Sequence, residues 1–317
     1  MITKTDLILG CTGQDGSFLC KSLLEKGHKV IGLSRKLKNK IKNHIELGIE
    51  KDLEINEGDI KNFKTIEELI SKYQPQRIFN LAAQSSVGKS ISEPIDTMQS
   101  IVDGTLNLLE VSRQLNYTGK IFFAGSSEIF GNTKNKANID HQQKPKSPYG
   151  IGKQASFNLV KFYRKIHNLK CITGILFNHE SYLRNENFVT QKIIKGAKKI
   201  KNKQINKIKL GNINIYRDWG WAPEYVEAMQ LITNSNDLKD HVICSGVAYS
   251  LKTFIEKVFI LYDLNWEEHI EIDKSLFRPC DIEQSLGDPE PLFKDLGWQA
   301  KEDINSIINK LIQNYKE

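Results

Sequence analysis

Residues 5–36 read TDLILGCTGQDGSFLCKSLLEKGHKVIGLSRK, and this stretch decides the fold. A short apolar run at 7–9 precedes the spacing G-x-x-G-x-x-G over 10–16. Apolar residues at helical spacing follow, and then a second apolar run at 29–33. Strand, glycine-rich turn, helix and strand in this order are typical of a βαβ unit. The glycines let a pyrophosphate approach the backbone, and the helix N-terminus attracts its charge. The pattern predicts a dinucleotide site, with a purely structural turn as the alternative.

The end of the second predicted strand indicates which dinucleotide is bound. Ser34, Arg35 and Lys36 stand there, and no acid is present to hydrogen-bond the 2′-hydroxyl of NAD. Two cations at this position favour the 2′-phosphate of NADP instead. We therefore expect NADP, with NAD as the less favoured cofactor. The alternative is that Arg35 and Lys36 only begin an exposed basic loop.

The alternation of strands and helices continues along the first half of the chain. Strands are predicted at 53–59, 77–83, 120–125 and from Cys171, with helices at 62–75 and 94–115. Repeated βα units predict the α/β class, here a Rossmann-type, doubly wound parallel sheet with helices on both faces. Ligands of such sheets lie beyond the carboxyl ends of the strands. That rule places one crevice along residues 10–16, 59, 82–86 and 126–128.

The segment SPYGIGK at 147–153 carries Tyr149 and Lys153 four residues apart, which is one helical turn. A nearby ammonium favours the phenolate, so this tyrosine could act as a base near neutral pH. The same spacing also fits an ordinary amphipathic helix. Ser147 and Pro148 predict the start of that helix close to the crevice.

The segment GSSEIFG at 125–131 places Ser126, Ser127 and Glu128 directly after a buried strand. Strand ends present side chains to ligands in α/β sheets, so a carboxylate here is a candidate base. The alternative is that the serines cap a helix and the acid only follows them.

The second half of the chain loses the regular alternation. Helices are predicted around 188–200, 225–233, 251–261 and 304–315. We expect a dinucleotide-binding domain at 1–175 and a smaller mixed α/β substrate domain at 176–317. A returning segment near 213–247 would interleave them, with HVICSG at 241–246 rejoining the main sheet. Trp219 and Trp221 could stack on a base or pack in the core.

Composition limits the classes of partner. The chain has 317 residues, 39% hydrophobic and 26% charged, as is ordinary for a globular protein. The net charge of +7 comes largely from Lys-rich stretches at 35–43 and 192–209. Because no aromatic residues interleave them, we interpret them as solvated faces and not as a nucleic-acid site. No run is apolar enough for a membrane span. The five scattered cysteines suggest reduced thiols in a cytoplasmic protein, and we expect no metal.

Several motifs together resemble the GDP-mannose 4,6-dehydratase family of the extended short-chain dehydrogenase/reductase superfamily. They are TGQDGS, NLAAQS, SSE, SPYGIGK, GILFNHES, FVTQKI, LGNINIYRDWG, EYV and FRPCDIEQSLGDP followed by LGW. The resemblance covers nearly the whole chain. It implies an NADP-dependent hydro-lyase that acts on a GDP-sugar, with a homo-oligomer, either dimer or tetramer, as the expected assembly.

The resemblance also implies a division of labour. Tyr149, assisted by Lys153 and Ser126, would take the proton of the 4-hydroxyl while hydride passes from C4 to the nicotinamide. Glu128 would remove the C5 proton, water would leave from C6, and the hydride would return to C6. A simple epimerase or reductase of the superfamily would not need a carboxylate at position 128.

The resemblance extends to the binding residues. The cofactor would contact Gly10, Thr12, Gly13, Gln14, Asp15, Gly16, Arg35, Lys36, Asp59, Ile60, Leu81, Ala82, Ala83, Ser85, Tyr149, Lys153, His179 and Arg184. The GDP-sugar would contact Ser86, Ser127, Glu128, Asn178, Val189, Lys192, Arg217 and Arg278. The cations Lys192, Arg217 and Arg278 also suit a diphosphate on chemical grounds. His179 taken alone is equally a structural hydrogen-bonding residue.

Three departures from the family pattern keep alternatives open. Tyr182, Leu183, Arg184 and Asn185 stand where Pro-Arg-Arg-Gly is usual, so a GDP-manno-heptose is the alternative substrate. KLKNKIKNHIELG at 36–48 replaces a longer loop that supports a tetramer in the family. Phe130 stands where tyrosine is common, and we expect it to be tolerated. A superfamily epimerase or 4-reductase, or a nucleotide- or RNA-binding protein without turnover, are the competing functions.

Overall fold

The computed structural model describes residues 4–35, 41–279 and 281–314. Its strands, in chain order, are β1 (Thr5–Leu9), β2 (Lys29–Ser34), β3 (Glu54–Glu57), β4 (Arg77–Asn80), β5 (Lys120–Ser126), β6 (Cys171–Leu176), β7 (Asn178–Glu180), β8 (Ile208–Leu210), β9 (Tyr216–Trp221), β10 (His241–Ile243), β11 (Ala248–Ser250), β12 (Ile270–Ile272) and β13 (Gln284–Ser285).

The helices are α1 (Gln14–Glu25), α2 (Lys42–Leu47), α3 (Phe63–Tyr73), α4 (Val87–Ser92), α5 (Pro94–Met98), α6 (Gly104–Gln114), α7 (Pro148–His167), α8 (Val189–Lys201), α9 (Ala222–Asn234), α10 (Leu251–Leu261), α11 (Trp266–His269), α12 (Glu290–Leu296) and α13 (Ile304–Gln313). A π-helical segment, Gln99–Asp103, makes α5 and α6 one continuous helical run. Within the described ranges, no helix is long and apolar enough to cross a bilayer.

A seven-stranded sheet forms the centre of the molecule, in the order β10-β6-β5-β4-β1-β2-β3, and its neighbouring strands are all parallel. This order confirms the predicted Rossmann-type α/β class. The chain returns to the sheet at β10, whose His241 pairs with Gly174 of β6. The strand expected within 241–246 therefore rejoins the main sheet.

Both faces of the sheet are covered by apolar layers, because successive strand residues point to opposite sides. In β1, the side chain of Ile8 joins the layer under α1 and α9, whereas Leu7 and Leu9 join the layer under α3, α6 and α7. In β5, Phe122 and Phe123 divide in the same way. The sheet is thus buried on both sides, and its carboxyl edge remains for ligands.

A smaller sheet in the second half brings two sequence motifs side by side. It has the order β11-β9-β13, and β7 pairs in parallel with β9. In that pairing Asn178 lies beside Trp219 and His179 beside Gly220. NHES and RDWG, which are far apart in sequence, are therefore adjacent at the end of β6. This adjacency places residues of the second half at the carboxyl edge of the main sheet.

Candidate active site

The glycine-rich turn after β1 has the tight geometry that its spacing predicts. Gly10 has φ of +86°, a left-handed conformation, and a Cβ there would lie 2.9 Å from the backbone of Ala82. A Cβ on Gly16 would lie 2.3 Å from the carbonyl oxygen of Gly10. Any side chain at either position would push the turn away from β4 or α1. Gly13 and Gln14 follow, and α1 begins with its free amides at the turn.

Polar contacts hold this turn in place. The hydroxyls of Thr12 and Ser34 are hydrogen-bonded at 2.9 Å. From α2, the side-chain amide of Asn43 donates to the Thr12 carbonyl at 3.2 Å. Nε2 of His44 lies 2.9 Å from the Cys11 carbonyl oxygen. Because a carbonyl only accepts, this ring nitrogen is the donor. Sequence reasoning missed α2 and its two contacts, since nothing in the local pattern ties residues 43–44 to the turn.

Residues that follow β3 and β4 line the same edge, in different ways. The Asp59 carboxylate accepts from the Lys61 amide at 2.9 Å, so it also caps its own turn. Ile60 is a buried core residue. Ser86 accepts from the Lys89 amide at 3.2 Å and begins α4. Of the remaining predicted residues after β4, Ser85 is exposed. The other three are half-buried: Leu81, Ala82 and Ala83.

Tyr149 and Lys153 lie on the buried face of α7, one turn apart. The helix starts as predicted, with the Ser147 hydroxyl accepting from the Gly150 amide at 3.1 Å and proline in the first turn. The Lys153 ammonium donates to the carbonyl of Ala124 in β5 at 2.7 Å and lies 5.8 Å from the centre of the tyrosine ring. The helix therefore holds both groups against the end of β5.

Burial dominates the protonation of this pair. It raises the pKa of Tyr149 to about 12, although a hydrogen bond with Ser126 acts in the opposite direction. Burial also lowers the pKa of Lys153 to about 8, against the attraction of Asp15. The expectation that the ammonium alone would favour the phenolate is thus wrong for the chain by itself, because desolvation penalises both charged forms.

Glu128 lies in the 3₁₀ turn Ser127–Ile129, directly after β5. Its amide donates to the Ser126 hydroxyl at 3.3 Å, so the capping role weighed for that serine is real. The carboxylate is near enough to Tyr149 to raise the pKa of the phenol. Ser127 itself is buried. The turn therefore places one hydroxyl and one carboxylate beside the phenol.

Two arginines and one further acid lie within electrostatic reach of the Glu128 carboxylate. Burial raises its pKa, Arg217 and Arg278 oppose that shift, and Asp281 adds to it. Nη1 of Arg217 donates to the carbonyls of Tyr216 and Ile282, at 2.9 and 2.7 Å. The guanidinium of Arg217 is thus anchored by backbone at a buried position, whereas Arg278 is exposed. Asp281 was not predicted, although it lies within the FRPCDIEQ motif.

Asp218, next to Arg217 in the sequence, holds the loop at 245–246 in place by hydrogen bonds. It is fully buried, and its carboxylate accepts from the Ser245 hydroxyl at 2.6 Å and amide at 2.9 Å, and from the Gly246 amide at 2.9 Å. Trp219 and Trp221 belong to the core cluster of the second half. Core packing, not base stacking, is therefore the role of both indoles.

The other predicted substrate residues lie on three elements. Asn178 begins β7 and is half-buried, and Val189 begins α8 against the core. Lys192 is exposed, and its ammonium donates to the Lys209 carbonyl at 2.6 Å. This hydrogen bond directs the ammonium of Lys192 toward β8.

His179 and Arg184 reach the glycine-rich turn from the second half. His179 Nε2 lies 2.9 Å from the Asp15 carboxylate, and Arg184 Nε lies 3.6 Å from the Glu180 carboxylate. The guanidinium of Arg184 also lies 3.8 Å from the centre of the Phe188 ring. The two halves of the chain thus meet at the start of α1. Arg35 is exposed at the end of β2, and Lys36 lies outside the described residues.

Comparison with known sequences agrees with these motifs. The sequence model of the family described as GDP-mannose 4,6 dehydratase matches residues 7–311. The chain is similar to GDP-mannose 4,6 dehydratase 1 of Arabidopsis thaliana, at 37% identity over 98% of this chain and 89% of that protein. It is also similar to GDP-mannose 4,6 dehydratase of Cricetulus griseus, at 33% identity over 98% of this chain and 91% of that protein.

Solved structures share the fold over the full chain. UDP-glucose 4-epimerase of Thermus thermophilus in complex with NAD has a TM-score of 0.87 and 22% identity, covering 98% of both chains. RMD from Pseudomonas aeruginosa complexed with NADPH has a TM-score of 0.82 and 18% identity, covering 99% of both chains. At these identities the likeness concerns the fold.

Proposed function

This chain belongs to the GDP-mannose 4,6-dehydratase family, and on that premise we propose that it converts GDP-mannose to the GDP-4-keto-6-deoxy sugar with NADP as cofactor. The family membership makes it a nucleotide-sugar 4,6-dehydratase and hence a hydro-lyase. One observation carries the proposal: the Glu128 carboxylate is buried within electrostatic reach of Tyr149 and of two arginines. An enzyme that only oxidised or epimerised C4 would not need that second base.

The oxidation step falls to the helix α7 pair and Ser126. Tyr149 receives the proton of the sugar 4-hydroxyl, and Ser126 beside it lowers the pKa of the phenol. Lys153, fixed to the Ala124 carbonyl, supplies a positive charge that offsets part of the burial penalty on the phenolate. A bound nicotinamide dinucleotide would supply the acceptor for the hydride of C4 and the donor for its return to C6.

The elimination step falls to Glu128. The 4-ketone acidifies the C5 hydrogen, and the carboxylate removes that proton and gives it to the departing C6 hydroxyl, which leaves as water. C5 takes up a proton again when the hydride returns to C6. Burial raises the pKa of Glu128, which makes its carboxylate a stronger base than an exposed glutamate. Arg217 and Arg278 carry the charge that a diphosphate requires, and both oppose the rise in the pKa of Glu128.

The sugar is proposed to be mannose because the unusual loop residues face the core. The ring of Tyr182 packs edge-on against Phe18, with the ring centres 5.7 Å apart, and tilts against Trp221 at 6.4 Å. Leu183 is buried. Substitutions that are absorbed by apolar packing do not enlarge a hexose pocket. The packing therefore supports GDP-mannose over a GDP-manno-heptose.

The proposal is tested by incubating the protein separately with GDP-mannose and with GDP-D-glycero-D-manno-heptose, without added reductant. Loss of one water from GDP-mannose, seen by mass spectrometry, is the expected result. Preferential loss from the heptose substrate would overturn the choice of sugar. If neither sugar lost water, or if product formed only with stoichiometric NADPH, dehydration itself would be overturned.

NADP is proposed because Arg35 stands exposed at the end of β2, where an acid would select NAD. The hydroxyls of Ser34 and Thr12 join this strand end to the glycine-rich turn. The 2′-phosphate would thus meet a cation and neutral donors instead of a carboxylate. Gly10 and Gly16 leave the space beside α1 that the pyrophosphate needs.

The assembly is proposed to be a homo-oligomer that uses the outer faces of α5, α6 and α7. Ile95 is 74% exposed, and Ile151, Phe162 and Ile166 of α7 are 47%, 50% and 54% exposed. The three α7 residues lie on one helical face. A second copy of this chain is the partner with a matching apolar face. Its mass in solution tests this, and a monomer at micromolar concentration would contradict it.

The compartment is proposed to be the cytoplasm. Cys11, Cys20, Cys171 and Cys244 are buried and unpaired, and Cys280 lies outside the described residues. Burial raises the pKa of the Cys11 and Cys171 thiols to about 12, so neither is a ready nucleophile. Free thiols of this kind suit a reducing compartment.

A further inference from the structure

Asp15 is an acid at a position that should repel the ligand. It lies in the first turn of α1, immediately after the glycine-rich turn, where the helix amides attract a pyrophosphate. An uncompensated carboxylate there would oppose an anionic ligand. The carboxylate is partly buried, so solvent screens it poorly. A compensating charge is therefore required nearby.

His179 is held in a way that fixes its protons. Its Nδ1 lies 2.7 Å from the Phe177 carbonyl oxygen, and its Nε2 lies 2.9 Å from Oδ2 of Asp15. A carbonyl oxygen only accepts, so Nδ1 carries a hydrogen. The carboxylate also accepts, from the Gln14 side chain at 3.0 Å on its other oxygen. Both ring nitrogens thus face acceptors, and the geometry fits an imidazolium paired with a carboxylate.

The groups around this pair determine whether the imidazolium of His179 and the carboxylate of Asp15 are the stable forms. Arg184, from the loop after β7, opposes the imidazolium, and burial does so more strongly. Asp15 outweighs both, so the pKa of His179 is raised and that of Asp15 is lowered. Tyr225 of α9 stacks on the ring at 4.6 Å between centres. Lys153 of α7 is also within electrostatic reach of Asp15.

We propose that His179 is a positioning residue whose imidazolium neutralises Asp15, so that the glycine-rich turn can accept the anionic pyrophosphate of the cofactor. The pair also joins the turn to the second half of the chain, because the Gln14 side chain donates to the His179 carbonyl at 3.2 Å. The inference rests on the proposed cofactor site.

A double-mutant cycle on direct binding of NADPH, followed by its fluorescence, tests the neutralisation. His179→Gln removes the one cation hydrogen-bonded to the Asp15 carboxylate, leaves only the unbonded charges of Arg184 and Lys153 near it, and should weaken binding by roughly thirtyfold or more. Asp15→Asn in that background should recover most of the loss, because the repulsive charge is gone. A double variant as weak as His179→Gln would contradict the proposal, since a purely structural contact cannot be rescued in this way.

His241 offers a matched control. Its Nδ1 lies 3.0 Å from the Lys239 carbonyl and its Nε2 lies 3.1 Å from Asp295, at the amino end of β10 and far from the turn. His241→Gln removes the same kind of pair and should leave NADPH affinity unchanged. An equal loss of affinity in this control would assign the effect to general destabilisation and overturn the proposal.

A titration of the protein alone separates this inference from the proposed function. Histidine ring resonances, followed by NMR in wild type and Asp15→Asn, should show His179 titrating above its ordinary pKa only in wild type. The stabilisation from the ion pair is fully present below the ordinary pKa of histidine and is lost as pH rises through the raised pKa of His179. A wild-type His179 that titrates at or below its ordinary pKa would overturn the inference. Failure to bind NADPH would instead contradict the cofactor site.

Discussion

The two halves of the active site are built differently. The groups proposed for oxidation, Tyr149 and Lys153, come from one 20-residue helix and are held by a single strand end. The groups around Glu128 come from distant parts of the chain, with Arg217 on β9 and Arg278 before β13. A helix turn can encode the first arrangement, whereas only the completed fold can assemble the second. On the proposed roles, the chemistry shared by the superfamily thus lies in a local motif, and the identity of the reaction lies in a tertiary one.

Tyr149→Phe should have the largest effect, because it removes the base on which both steps depend. Overall turnover should fall by about 10³-fold or more, with no reduced cofactor formed on mixing with GDP-mannose. Tyr163→Phe is the matched control, since that phenol lies on the same helix and donates to Glu110 at 3.0 Å. If reduced cofactor still formed at the wild-type rate, the oxidation half would be wrongly assigned.

Glu128→Gln should separate the two halves. Elimination should slow by about 10²-fold or more, while oxidation at C4 continues and reduced cofactor accumulates in a single turnover. Glu224→Gln is the control, because Glu224 is another glutamate whose pKa is raised by burial, and it accepts from the Lys301 amide at 3.0 Å away from the site. Normal dehydration by Glu128→Gln would show that Glu128 only forms part of the turn. The two halves would then not differ in chemical role.

The pH profile of kcat/KM should report both halves of the free enzyme. Burial raises the pKa of Glu128, so activity should rise with pH through a value above that of an ordinary glutamate. The pKa of Lys153 is lowered to about 8, so activity should fall as its ammonium loses a proton above that pH. Each limb changes by about tenfold per pH unit. Unchanged activity from pH about 8 to about 10 would show that the ammonium is not required.

Arg35→Ala should have the smallest effect and should leave both halves intact. NADP affinity should fall by about tenfold while NAD affinity stays unchanged, because only the 2′-phosphate contact is lost. Lys64→Ala is the control, since that lysine is exposed on α3 and pairs only weakly with Glu68 at 3.9 Å. Equal losses of affinity for the two cofactors would contradict the 2′-phosphate assignment.

The sequence predicted what depends on local pattern. The βαβ unit, the start of α7 at Pro148 and the returning strand at 241–246 were all predicted, because periodicity, glycine spacing and caps are local signals. The helix expected at 94–115 was also correct in its extent. Its π-helical segment was missed, because no residue type marks such a bulge.

What the sequence could not predict depends on contacts between distant residues. The pair of Asp15 and His179 joins residues 164 positions apart. The sequence predicted a lowered pKa for Tyr149, and the structure has it raised. The cause is burial at a strand end, which a helix repeat does not reveal. The inward packing of Tyr182 likewise depends on Phe18, which lies on a helix of the other half.

The most direct test of the account is the fate of deuterium placed at C4 of GDP-mannose. Wild-type protein with catalytic NADP and no added reductant should give a GDP-4-keto-6-deoxy sugar that carries the deuterium at C6, seen by NMR and mass spectrometry. This result requires oxidation by the Tyr149 half and elimination by the Glu128 half within one turnover. Product without deuterium at C6, or product that forms only with stoichiometric NADPH, would contradict the account.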